Sequence, residues 1–173
     1  DFDRNVLILD GQEYELRDTF LPTVDPNDPY KLTPEEQEIM EKLHHSFVSS
    51  EKLKQHMRCL FRYGCMYTIS NSNLLFHASV PLNEDGSLKE VMIAGKPYKG
   101  KQLLEKVGHL TRTAFFTEEE SEEKKFARDY VWYLWCGKDS PVFDKNKMAT
   151  FERYFLKEKE LHKETKGYYY TLR

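Results

Sequence analysis

The sequence predicts an α+β chain of helices and short antiparallel hairpins, and three features carry that reading. Asp10-Gly11 stands between the strand-like runs Val6–Leu9 and 14–16, and such a pair suits a two-residue hairpin turn that needs positive φ at both positions. Ile39, Met40, Leu43 and Phe47, and later Leu103, Leu104, Val107 and Leu110, recur at helical spacing, which marks apolar helix faces. Aromatic residues make up 14% of the chain, too many for a disordered polymer even at a mean hydropathy of −0.73. The charged share, 32%, therefore belongs on the surface of a packed body.

Each element follows from local signals. After the first hairpin, Pro22, Pro26 and Pro29 in PTVDPNDPY predict an extended connection along the surface, since each fixes its own φ and biases the residue before it away from helix. Thr33-Pro34-Glu35-Glu36 reads as a capping box with proline at the first helical position. Ser49 and Ser50 punctuate, and Leu53, Met57, Leu60 and Phe61 predict a second amphipathic helix ending near Gly64. In YGCMYTISNSNLLFHASVPLNEDG, residues 63–86, Cys65, Tyr67 and Ile69 alternate with Met66 and Thr68 as a half-buried strand would. Asn71, Ser72 and Asn73 tolerate the left-handed backbone of a turn, and Leu74, Leu75 and Phe76 form an expected buried run that ends at His77.

NEDG makes a further turn, and VMIAGKPY predicts a small hairpin around Ala94-Gly95. Gly100–Phe116 returns to helical periodicity. The acidic run 118–123 places negative charge at the start of the next helix, where the macrodipole favours it. Phe126, Tyr130, Trp132, Tyr133, Leu134 and Trp135 make that helix the most apolar segment, expected to be buried or to pack on another domain, and Gly137 ends it. The remainder is polar loop and helix finishing in Tyr168, Tyr169 and Tyr170.

Composition excludes several function classes. A net charge of −3 and a pI near 6.1 provide no basic footprint for nucleic acid and no polybasic anchor for a membrane. No apolar run approaches the length of a membrane span. Cys59, Cys65 and Cys136 are odd in number and form no CxxC pair, so they read as three reduced thiols of a cytoplasmic protein. The chain opens on Asp1 with a strand-like run almost at once. Residues 1–173 therefore read as one incomplete domain, an internal segment of a longer polypeptide.

Chemistry-bearing motifs are scarce. There is no glycine-rich phosphate loop, no GxSxG and no HExxH. His44 and His45 point to different faces of one predicted helix and His56 lies on the next. Gly108-His109 sits inside a helical pattern that suits packing better than ligation. Lys147, Arg153 and Lys157 could hold a phosphate ester or be simply solvated. His77 stands out, because an imidazole fixed at a strand end loses little entropy on binding a cation. Spacing alone leaves it either a ligand or a packed, hydrogen-bonded residue.

Four strings, DTFLPTVDPNDPYKLTPEE, YGCMYTISNSNLLFHASVPLNEDG, YVWYLWCGKDSPVF and KMATFERYF, closely resemble the class III fructose-1,6-bisphosphatases of bacteria, in the same order and across about 6–170. That family is similar to the calcineurin-type metallophosphatases. The resemblance implies an α/β parent in which two β-sheets pack together with helices outside, this chain being an α+β piece of it. It also implies manganese-dependent hydrolysis of the 1-phosphate of fructose 1,6-bisphosphate to fructose 6-phosphate in gluconeogenesis. The family's chemistry would use two metal ions that activate a bridging water. The position matching the superfamily's metal-binding histidine is His77 in NLLFHAS.

Two departures qualify the expectation. Ala78 stands where glycine usually follows that histidine, so a Cβ must fit beside any metal. The superfamily's Asp-x-His, Gly-Asp-x-x-Asp and Gly-Asn-His motifs are absent, as is its later Gly-His-Thr/Val-Pro motif, and a single imidazole does not hold manganese. The expectation is thus a chain that alone neither binds manganese tightly nor turns over substrate. Two other readings stay open. One is a non-catalytic interaction or homo-oligomerisation module built on 126–135 and the tyrosine tail; the other is a metallophosphatase for a different sugar phosphate.

Overall fold

The structure, a computed structural model, describes residues 1, 3–17, 20–163 and 168–170, the last three by backbone alone. The tyrosine side chains to which the sequence reading assigns an interface lie outside the described residues. The architecture is α+β, with helices and four antiparallel strand pairs among the described residues. The chain divides into two compact units: Asp1–His56 with Ala149–Lys163, and Met57–Met148 with Glu164–Arg173.

In the first unit, β1 (Val6–Leu9) pairs with β2 (Gln12–Glu15) through a turn in which Asp10 and Gly11 have φ of 50° and 77°, as the Asp-Gly pair predicts. Arg4 grips Glu13 with two bonds of 2.7 and 2.6 Å. The hairpin is tied to the segment after the short helix α5 (Thr150–Phe155; the intervening helices are described below). There Leu16 bridges to the fully buried Leu156, and the Arg17 N–H donates to the Phe155 carbonyl at 2.6 Å.

The proline-rich stretch is not the extended connection the sequence suggests. It is a chain of turns: Val24 donates to Leu21, Asp28 to Asp25 and Lys31 to Asp28. Pro22, Pro26 and Pro29 each take the second position of one of these turns, where a fixed φ near −65° is already the required angle. The capping box forms as expected, with the Thr33 side chain accepting from the Glu36 N–H and the Glu36 carboxylate accepting from the Thr33 N–H at the start of α1 (Pro34–Val48). The apolar face of α1 forms at the expected spacing but stays exposed. Ile39, Met40, Leu43 and Phe47 are all at least half exposed.

α2 (Glu51–Tyr63) begins in the first unit and ends in the second, its start capped by the Ser50 hydroxyl, which accepts from the Leu53 N–H. Next come β3 (Tyr67–Ser70), β4 (Asn73–Phe76) and β5 (Val80–Leu82). β6 (Val91–Ile93) and β7 (Lys96–Tyr98) form the hairpin expected around Ala94-Gly95, both residues with positive φ. α3 (Gly100–Phe116) and α4 (Glu122–Cys136) follow, and β8 (Tyr168–Tyr170) pairs with β5. The core of this unit is Leu103, Val107 and Leu110 of α3 against Ala127, Tyr130 and Leu134 of α4, closed by Ile93. Both helical sets recur at near-helical periods, so each helix buries one stripe. The aromatic helix is only partly buried: Trp132 and Trp135 are 74% and 69% exposed. Gly137 caps its end, donating its N–H to the Tyr133 carbonyl, and a Cβ there would overlap the Tyr133 ring.

Candidate functional site

His77 is positioned by a hairpin whose two ends are anchored differently. At the entry, Arg112 on α3 donates to the carbonyls of Phe61 (3.1 Å), Gly64 (2.7 Å) and Gly108 (2.9 Å). It thereby satisfies carbonyls that the C-terminus of α2 leaves without helical partners. Tyr67 then donates its hydroxyl to Glu105 of α3 at 3.1 Å, which fixes the root of β3. The turn follows the expected chemistry, with Asn71 and Ser72 at φ of 49° and 63°. Register pairs Tyr67 with Phe76 and Ile69 with Leu74, so these four share one face of the ribbon.

The leucines of β4 are not the buried run the sequence predicts, since Leu74 and Leu75 are 40% and 47% exposed. A two-stranded ribbon has too few neighbours to bury either face completely. His77 leaves this ribbon exposed to solvent, in a bend that immediately follows β4.

Beyond His77 the backbone is held firmly. The Ser79 N–H donates to the Pro141 carbonyl at 3.1 Å, and Ser79, Pro141 and Ser140 are essentially inaccessible. Ser140 fixes the loop that supplies Pro141: its hydroxyl donates to the Leu134 carbonyl at 2.7 Å and accepts from the Val142 N–H at 3.2 Å. Lys89 pairs with Asp139 of the same loop at 2.7 Å, with both side chains largely shielded. Sequence reading missed Arg112, Ser140 and the Lys89–Asp139 pair as supports. Only the Ser-Pro step just after the helix-ending Gly137 hinted at a braced loop.

The remaining candidates are not assembled. His44, His45, His56 and His109 are all exposed, while Gly108 is buried within α3, the packing role expected for it. Lys157 pairs with Glu15, and Arg153 donates to the His162 carbonyl. Cys59, Cys65 and Cys136 are free thiols, as read from the sequence. Among the described residues no three His, Cys, Asp or Glu side chains are grouped to hold a metal ion, so these residues do not by themselves fit manganese. No described helix is long and apolar enough to cross a membrane.

What the site offers is one accessible imidazole on a braced backbone. Set beside known proteins, residues 1–173 match the family model described as Firmicute fructose-1,6-bisphosphatase. Relatives named "Fructose-1,6-bisphosphatase class 3" include those of Phocaeicola vulgatus, 77% identical, and Bacteroides fragilis, 68% identical, each over 100% of this chain. That of Clostridium acetobutylicum is 54% identical over 99% of the chain. The chain spans only about a quarter (26%) of the length of each. No solved structure matches it. A family model matched by every residue from 1 to 173 means that the chain belongs to the Firmicute fructose-1,6-bisphosphatase family.

Proposed function

We propose that this chain is one part of a cytoplasmic enzyme that hydrolyses the 1-phosphate of fructose 1,6-bisphosphate, consuming one water and giving fructose 6-phosphate and phosphate in gluconeogenesis. The observation that carries the reading is the 77% identity, over the whole chain, to a relative bearing that enzyme's name. The parent is an α/β metallophosphatase of two packed sheets, and its reaction depends on a pair of manganese ions. His77 contributes one ligand and the others come from outside residues 1–173. The position of His77 supports this role: an exposed ring on a backbone fixed through Ser79 and Pro141 can meet ligands supplied by another part of the polypeptide.

The test is manganese-dependent phosphate release from fructose 1,6-bisphosphate by the full-length parent, run beside its His77→Ala variant. The reading expects an active parent and a folded variant that has lost most activity and bound manganese. An inactive parent would overturn the substrate assignment, and a variant with full metal content would remove His77 from the ligand set. A non-catalytic interface module is the second reading, favoured by the exposed Trp132 and Trp135 on α4. A parent that never releases phosphate from any sugar phosphate would point to it.

A further inference from the structure

Part of the shared face of the β3–β4 ribbon, at Ile69 and Leu74, stays exposed. Tyr67, Ile69 and Leu74 line a cleft of about 430 Å³ together with Val80, Leu82, Leu88 and Leu104. Ile69 remains 67% exposed and Leu88 47%. Among the described residues one charged side chain, Lys101, lines it, and it lies 3.6 Å from Glu105. An isolated two-stranded ribbon is marginal in water and needs a third strand or a packed face to persist. This ribbon is tethered at its root through Tyr67 and Glu105, yet Ile69 and Leu74 of its apolar side stay exposed.

We propose that an apolar segment of the parent polypeptide lying outside residues 1–173 inserts into this cleft and seats the ribbon that ends in His77. Two considerations select this occupant. The lining is hydrocarbon with one cation, which does not suit a sugar carrying two phosphates, whose recognition calls for several charged or N–H donors. The relatives are also about four times as long as this chain, which is 26% of their length. A covalently attached segment therefore meets the cleft at a high effective concentration that a free second copy does not enjoy. Filling the cleft would couple domain docking to the placement of the candidate metal ligand. The inference rests on the reading of this chain as part of a longer parent, and not on the identity of its substrate.

The experiment is hydroxyl-radical footprinting of the unmodified full-length parent, joined to photo-crosslinking from a photoreactive residue placed at Ile69 or, in a second variant, at Leu74. The expected result is severalfold protection of Ile69, Leu74 and Leu88 relative to their accessibility here, with intrachain crosslinks to residues outside 1–173. Free oxidation of these three side chains would overturn the proposal. So would crosslinks that reach a second copy, giving a product of doubled mass, or that reach only other positions within 1–173. None of these readouts depends on catalysis, so an inactive parent would sink the proposed function and leave this inference standing.

Discussion

Arg112 joins two segments that the sequence places about fifty residues apart through the Phe61 and Gly64 carbonyls, and it also donates to Gly108 in its own helix. Replacing it with methionine keeps much of its apolar stem and removes every donor. Because hydrogen bonds from a charged group contribute about 1.5–3 kcal/mol, a loss of that order is expected in a denaturant titration of the full-length parent. In the core, Leu110 is 1% exposed, and Leu110→Ala should cost about 2–5 kcal/mol through lost contacts and the cavity left behind. An unchanged midpoint for Leu110→Ala would mean that α3 and α4 do not pack as described. His77 itself was legible from the sequence as a candidate, because the strand, the turn and the apolar run before it are local signals. The braces behind it were not, since Ser79 meets Pro141 only once the chain has folded back across α3 and α4.

At the scale of elements, α1 carries the sharpest test of a local signal. Thr33→Ala removes the side-chain half of the capping box and should lower stability by about 1 kcal/mol, read from thermal unfolding. The partner half sets a pH dependence. The Thr23 hydroxyl, and next the Thr33 backbone, hold the Glu36 carboxyl below its ordinary value of 4.5. A lowered folded-state value means that its stabilisation is complete above the ordinary glutamate range and is lost as pH falls through the lowered value. The first turn of α1 should therefore fray below pH 4.5, seen as loss of the Thr33 and Glu36 amide positions in an NMR titration. Glu36→Gln should flatten that response. The turn at Asn71-Ser72 and the hairpin at Ala94-Gly95 were equally legible, for Asn71 and Gly95 are residue types that tolerate the positive φ found there. The proline-rich connection was misread because proline at the second position of a turn and proline in an extended chain share the same φ.

For the whole molecule, the chain by itself should neither retain manganese through gel filtration nor release phosphate from fructose 1,6-bisphosphate. Metal analysis and a phosphate assay on the isolated 173 residues check this, and stoichiometric manganese would show that ligands within the chain had been overlooked. The family was readable from four strings alone, and with it the expectation that further metal ligands lie outside this chain. Helix stripes, caps and turn residues specify their own elements because those forces act over a few residues. Whether an apolar face becomes covered depends on distant partners: the run at Leu74 and Leu75, expected to be buried, is 40% and 47% exposed, and Ile39, Phe47, Trp132 and Trp135 are exposed as well. Amphipathic periodicity states that a face is suited to burial. Packing alone decides which faces find something to bury against, and which residues, like Ile69 and Leu74 of the ribbon before His77, stay exposed.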